Sequence, residues 1–517
     1  MNPVIKIDAL SAGFTHGFQL ENISFELGHS EVLGIVGESG SGKTLLSSLI
    51  LGLGGDCKIY SGKISLFGED ATFLNETSTK KIEKFFLNQR RQNIGYIPQN
   101  ALSALNPLKK IGIQVIESLK LTYPNISKAE IDEKVSIFMN EVGLSSDLLK
   151  RYPYELSGGQ NQRILIVQNL LKNPKVLICD EPTTALDMET QAQILSFLFS
   201  ECKNRNISVI FITHDLEIAK NHFSKIIVME KGKIAESGVT SDIFESPKKK
   251  ITKDLIKALK LPTKSIKKTK NVLLQLNDFG SYVIQKSLFR KKQIDLVKNA
   301  SLKLHELEIL GIVGRSGSGK TSLALGIMHL LKSHGNVKLL GEEIKSFDSK
   351  TLRNFYKYVQ IVLQNPHASI NPRWSVREIL KETEIINPSQ NRDGKKDIGY
   401  YEDILERVGL RKDLLYSYAN QLSGGEKQRV CIARALALNP KIIIFDEPTA
   451  SLDKTAQKQV LELLLKLQKE YSLGYIFITH DLHIVEAICD SVVLIDQGVA
   501  SNIEKEQFLK EMSKSLI

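Results

Sequence analysis

The stretch GESGSGKT at Gly37–Thr44 returns, changed at one position, as GRSGSGKT at Gly314–Thr321. Three further segments repeat in the same order. ELSGGQNQR (Glu155–Arg163) answers QLSGGEKQR (Gln421–Arg429), and KVLICDEPTTALD (Lys175–Asp187) answers KIIIFDEPTASLD (Lys441–Asp453). FITHDLEIA from Phe211 answers FITHDLHIV from Phe477. The last three pairs share one offset of 266 residues, and the lysines of the first pair are 277 apart. A repeat of this period means two whole domains rather than a stack of small units. The expected division is a first domain over residues 1–247, a basic linker over 248–270 and a second domain over 271–517.

Each half reads as α/β. The runs EVLGIVG (Glu31–Gly37) and LEILGIVG (Leu307–Gly314) are apolar, end in glycine and lead into a helical segment. Later runs VLIC, SVIFIT, IIIF and YIFIT are short, continuous and apolar, as strands buried on both faces of a parallel sheet should be. A central parallel sheet covered by helices follows for each half.

The net charge of +11 invites a nucleic-acid partner, but it is local. Between Lys248 and Lys270 stand ten lysines and one acid, Asp254, which leaves about +2 for the rest of the chain. A short basic linker is ordinarily solvated, with attraction to anionic lipid headgroups as the functional alternative. No nucleic-acid partner is expected. The five cysteines (Cys57, Cys179, Cys202, Cys431, Cys489) are scattered without a CxxC pair, so no disulfide framework, zinc site or iron–sulfur site is expected. No apolar run approaches the roughly 18 residues of a membrane helix, and the N-terminus lacks the shape of a signal peptide.

The G-x-x-x-x-G-K-[ST] pattern has a physical logic. Gly37, Gly40 and Gly42, like Gly314, Gly317 and Gly319, let the backbone curl so that successive N–H groups face phosphate oxygens. Lys43 and Lys320 place a charge on the β- and γ-phosphates, and Thr44 and Thr321 offer a hydroxyl to Mg²⁺. Asp180 and Asp446 each end an apolar strand, where a carboxylate can hold Mg²⁺. Glu181 and Glu447 follow immediately, placed to orient and deprotonate an attacking water.

Cradle, LSGGQ-type signature, DEP, ALD or SLD, and THD in this order resemble the ATP-binding cassette (ABC) ATPases, over nearly the whole chain. The resemblance implies two tandem P-loop NTPase domains, each with a RecA-like parallel-sheet core and a helical signature subdomain. It also implies ATP and Mg²⁺ as ligands. By that resemblance Gln99 and Gln364 touch Mg²⁺ and the attacking water, and His214 and His480 contact the γ-phosphate. Ser157, Gly158 and Gly159 face the ATP on Lys320, while Ser423, Gly424 and Gly425 face the ATP on Lys43. Asp187 and Asp453 communicate between the domains, and Phe14 and Tyr282 stack on adenine. Asn161 and Glu426 depart from the family pattern, where arginine and glutamine are common. With glutamate, lysine and histidine present in both sites, both are expected to hydrolyse ATP.

Three classes of such proteins compete: the energising subunit of a membrane transporter, a tandem ATPase acting on ribosomes or nucleic acid, and a DNA-repair ATPase. The linker is too short, and too interrupted by Pro247 and Pro262, for the helical arm of the ribosomal type. The zinc-binding cysteine pairs of the repair type are missing. QNALSALNP after Gln99 and QNPHASINPRWSVREIL after Gln364 resemble the peptide, nickel and opine importers. The second half is most similar to nickel-importer ATPases. That resemblance implies two membrane-spanning permease subunits and an extracytoplasmic substrate-binding protein as partners. The chain would then sit peripherally on the cytoplasmic face of the inner membrane.

Overall fold

The computed structural model describes the chain apart from residues 1, 16, 39, 73–78, 184–187, 288–289, 316, 387–397, 451 and 516–517. It divides into two compact units, Met1–Lys260 and Leu261–Ile517.

In the first unit a six-stranded sheet runs from Lys233–Val239 through Lys225–Glu230, Val32–Gly37, Ser208–Thr213 and Val176–Asp180 to Ile94–Ile97. All its pairings are parallel except the first. Val176–Asp180 and Ser208–Thr213 are buried at every position, which is why their sequences carry no polar alternation. A four-stranded antiparallel sheet stands beside it, in the order Gln19–Leu27, Ile5–Gly13, Lys58–Leu66 and Glu69–Asp70. Helices Ile111–Thr122, Lys128–Glu141 and Gly158–Leu171 share one apolar core with the outer face of the parallel sheet, through residues such as Leu119, Met139, Ile164 and Leu177.

The second unit repeats this plan as one ten-stranded sheet. Its parallel part runs Ser491–Asp496, Ile309–Val313, Gly474–Ile478, Ile442–Asp446 and Val359–Val362. The antiparallel part joins it through a single parallel pairing, Lys298 with Val499.

The lysine-rich stretch divides between the two units. Helix Lys250–Leu259 belongs to the first and buries Thr252, Leu255 and Ala258 there. From Leu261 the chain belongs to the second. There the nearly buried Lys264 ammonium donates to the Leu307 carbonyl at 2.6 Å and pairs with Asp490. Lys268 meets the buried carboxylate of Glu308 at 2.8 Å. Part of the charge that reads as a solvated run is thus spent on fixed partners. Among the described residues no helix is long and apolar enough to cross a membrane.

Candidate functional site

Each cradle hangs between a fully apolar strand and a helix that lacks a side-chain cap. Gly42 (φ 103°) caps helix Lys43–Ile50 and Gly319 (φ 111°) caps Lys320–Ile327; both adopt left-handed backbone, open to glycine at little cost. With no side chain on the first-turn N–H groups, the helix ends are ready for an anion. At Gly37 an added Cβ would lie 2.4 Å from the Met229 carbonyl oxygen, and at Gly314 one would lie 2.2 Å from that of Ile495. At both places the loop is pressed against a strand and tolerates no side chain. Gly40 and Gly317 are also left-handed, but a Cβ on either would meet nothing within 4 Å, so the space above these loops is open.

The two lysines lie folded over their own loops. Lys43 Nζ donates to the carbonyls of Gly37 and Glu38, both at 2.8 Å. Lys320 Nζ donates to those of Gly314 and Arg315, both at 2.9 Å. Both side chains are buried, so each ammonium is held in the cradle rather than left in bulk water.

At the ends of strands Val176–Asp180 and Ile442–Asp446 the residues expected from the motifs come together. The Glu181 carboxylate accepts from Gln99 Nε2 at 2.9 Å and meets His214 Nδ1 at 3.0 Å. In the second unit, Glu447 accepts from Gln364 Nε2 at 2.8 Å and meets His480 Nδ1 at 3.2 Å. Burial works to lower the basicity of His214, but the hydrogen bond and charge of Glu181 outweigh it and the net shift is upward. The hydrogen bond to the Glu447 carboxylate raises His480 against its burial. Burial alone would push the Glu447 carboxyl up, yet His480 and Lys320 bring it below its ordinary value.

Both glutamates have left-handed backbone, φ 49° at Glu181 and 47° at Glu447, which is uncommon for a residue with a side chain. Their N–H groups donate to the Ile212 and Ile478 carbonyls, each at 3.0 Å, which fixes the turn. The motif does not announce this twist. Nor does it announce Gln162, whose buried amide donates to the Glu181 carbonyl at 3.3 Å.

The Asp180 carboxylate has both oxygens buried without a hydrogen-bond partner. Burial raises its pKa to about 6, Thr44 and Lys43 opposing the shift and Glu181 adding to it. Asp446 is also raised by burial, while the Thr321 hydroxyl donates to its Oδ1 at 3.2 Å. An orphaned acid beside a threonine hydroxyl is a donor set that suits Mg²⁺, which takes one or two protein oxygens and completes its shell with phosphate and water.

Ser157 and Ser423 are the N-caps of helices Gly158–Leu171 and Gly424–Leu436, each closing a capping box, with Gln160 in the first and Glu426 in the second. Ser157, Gly158, Ser423 and Gly424 are exposed, and Gly159 and Gly425 half-buried. A Cβ on Gly424 or Gly425 would meet nothing within 4 Å, so packing does not require these glycines. Asn161 is fully buried and donates to the Pro153 carbonyl at 2.9 Å, holding the turn ahead of the signature. Asp453 caps the next helix through the Ala456 N–H at 2.8 Å, and Asp187 lies outside the described residues.

Phe14 is exposed just after strand Ile5–Gly13, and Tyr282 lies within strand Val272–Ser287 with its ring near that of His334. The aromatic against the first cradle is Phe18, whose ring lies 2.8 Å from where a Cβ on Gly42 would be. Its place just after Gly17 and before strand Gln19–Leu27 is the signal that could have found it.

The family model described as ABC transporter matches residues 20–184 and 297–450. The peptidoglycan transport ATP-binding protein YejF of Agrobacterium fabrum is 36% identical over 508 residues, covering 96% of this chain and 91% of that protein. An uncharacterised ABC transporter ATP-binding protein YejF of Escherichia coli is 34% identical, covering 96% and 94%. The glutathione import ATP-binding protein GsiA of Escherichia coli O157:H7 is 31% identical, covering 96% and 85%. Among solved structures, the archaeal ribosome recycling factor aABCE1, in complex with the stalk protein aP1, aligns over 98% of this chain and 92% of its own. Its TM-score is 0.63 at 19% identity, a likeness of fold.

Proposed function

This chain belongs to the ABC transporter family, as an ATP-hydrolysing protein with two ABC domains, and from that premise we propose that it energises an importer of peptides or peptide-like molecules. The observation that carries the reading is its match, over 96% of its length, to relatives named for peptidoglycan transport and glutathione import. Those names favour peptides over nickel as the cargo class. Two permease subunits and an extracytoplasmic binding protein are the proposed partners, with the chain peripheral to the membrane they cross.

The chemistry proposed for each site follows from its residues. The cradle N–H groups and lysine bind and orient the triphosphate of ATP. Thr44 with Asp180, and Thr321 with Asp446, would hold Mg²⁺, with Gln99 and Gln364 proposed as further oxygen donors. When bound, the ion neutralises charge on the β- and γ-phosphate oxygens. Glu181 and Glu447 accept the proton of the attacking water, a general-base role. Gln99 and His214, like Gln364 and His480, hold that carboxylate from its two oxygens and so aim it. Phe14 and Tyr282 remain the proposed adenine-stacking residues. Each signature is proposed to complete the cradle of the other half, Ser157, Gly158 and Gly159 serving Lys320 and Ser423, Gly424 and Gly425 serving Lys43. The exposed serine caps of both signatures, and Gly424 and Gly425 standing where packing does not require a glycine, support that assignment. Closure on two ATP molecules and reopening after hydrolysis would drive the permeases between inward and outward access.

The test is reconstitution with candidate permease subunits and an extracytoplasmic binding protein. Steady-state ATP hydrolysis should rise when the binding protein carries a short peptide and stay basal with a nickel chelate. Stimulation by ribosomes and none by the loaded transporter would overturn the importer reading.

A further inference from the structure

The two cradles differ at one position, Glu38 in the first and Arg315 in the second. Both residues are exposed. Both are also wired into the cradle, because each lends its carbonyl to the loop lysine, Glu38 to Lys43 at 2.8 Å and Arg315 to Lys320 at 2.9 Å. Each side chain therefore leaves the main chain next to the ammonium that meets the phosphates. One loop adds a negative charge beside a polyanion, and the other adds a positive one.

A second difference of the same kind lies at the signature helices. Glu426 Oε2 accepts from Ser423 N and from Ser423 Oγ, both at 2.8 Å, so the serine hydroxyl donates its hydrogen bond to a carboxylate. At the first signature the partner is the neutral Gln160. Its Oε1 accepts only the Ser157 N–H, at 3.0 Å, and the Ser157 hydroxyl itself accepts from Gln160 N at 3.2 Å. Among the described residues the Ser157 hydroxyl proton has no acceptor, so it is available to a phosphate oxygen.

We propose that the two nucleotide sites are unequal, the Arg315 cradle holding ATP more tightly and for longer than the Glu38 cradle. Residues 38 and 315 set the difference. This part needs only the two loops. If the signatures cross as proposed above, the second difference adds to the first, since Glu38 and Glu426 then act on one ATP while Arg315 and the neutral Gln160 act on the other. Exposed charges are screened increasingly as salt rises, so the gap in affinity should be about threefold at 0.15 M ionic strength and about tenfold at 0.01 M.

The experiment measures ATP affinity by equilibrium titration on the full chain, with Glu181→Gln and Glu447→Gln present to stop turnover. Lys320→Ala isolates the first cradle and Lys43→Ala the second. The second cradle should bind tighter, and the gap should widen as salt falls. Adding Glu38→Arg to the first-cradle chain should tighten its ATP and narrow the gap by the share the loops set, and adding Arg315→Glu to the second-cradle chain should narrow it from the other side. Equal affinities at low salt, or swaps without effect in chains that fold normally, overturn the proposal. Glu426→Gln then separates the two readings. Tighter ATP on the first cradle supports both, whereas tighter ATP on the second overturns the crossing and leaves the loop inference standing.

Discussion

Compared position by position, the two units agree in the clusters at their strand ends and diverge at other places. Gln99, Glu181 and His214 repeat as Gln364, Glu447 and His480, down to the left-handed backbone of both glutamates. Elsewhere, Glu38 corresponds to Arg315, Gln160 to Glu426, Gly52 to His329 and Cys202 to Gln468. The proton abstraction proposed for these clusters would tolerate little change in geometry, whereas neighbours that act through space or through packing are free to vary. Duplication here has kept one apparatus twice while letting its surroundings separate.

Removing one base at a time should have the largest effect. Glu181→Gln and Glu447→Gln should each retain ATP binding and lower the hydrolysis of the altered site by roughly 10²–10⁴-fold, the usual cost of a lost general base. Steady-state ATPase assays with permeases present check this. If either variant keeps near wild-type turnover, the two clusters are not doing the same chemistry.

A smaller effect should separate the units by pH. His329 has left-handed backbone, φ 52°, as does its counterpart Gly52, φ 66°. The imidazole sits among Phe347 and Phe355 with its Nε2 buried and unpartnered. Burial lowers its pKa to about 4. The folded state therefore resists a proton that the unfolded chain takes at its ordinary value of about 6.5. Stability present above that value should fall as pH drops toward 4, by about 2–3 kcal/mol. Urea unfolding of wild type and His329→Gly between pH 7.5 and pH 4.5 should show the extra acid sensitivity in wild type alone. A variant equally acid-sensitive would mean that the ring is hydrated.

The smallest effect concerns the cores. Gln468 is fully buried with neither amide atom hydrogen-bonded, at the position of buried Cys202 in the first unit. Gln468→Met keeps the length and removes the desolvated amide. It should stabilise the second unit by about 1 kcal/mol, the lower end of the cost of a buried unsatisfied polar group. A loss of stability in thermal melts would show that the amide has a partner.

Much of the site was legible because the chemistry restricts residue type and spacing together. A lysine after glycines, an acid ending an apolar strand and a glutamate after it leave few readings, whereas the contacts of Gln99 and His214 with Glu181 are seen only in the structure. What was not legible depends on long-range packing. The positive φ of the two glutamates is imposed by hydrogen bonds to a neighbouring strand. The lysine-rich stretch looked uniform, yet Asp490 and Glu308, more than 200 and about 40 residues away respectively, pair with Lys264 and Lys268. Phe18 meets Gly42 only once the hairpin Ile5–Leu27 has folded over the loop. Continuous apolar strands announced the parallel sheets, but nothing in either sequence announced that one parallel pairing, Lys298 with Val499, would join the second unit into a single ten-stranded sheet.

Whether each half completes the nucleotide site of the other can be settled with one pair of variants. In a Glu181→Gln, Glu447→Gln background, Lys43→Ala with Ser423→Arg should spoil one site twice and leave the other whole, so one ATP per chain stays occluded after gel filtration. Lys43→Ala with Ser157→Arg should damage both sites and leave no occluded ATP. If the second combination keeps its ATP and the first loses it, each signature serves its own cradle and the crossed arrangement is wrong.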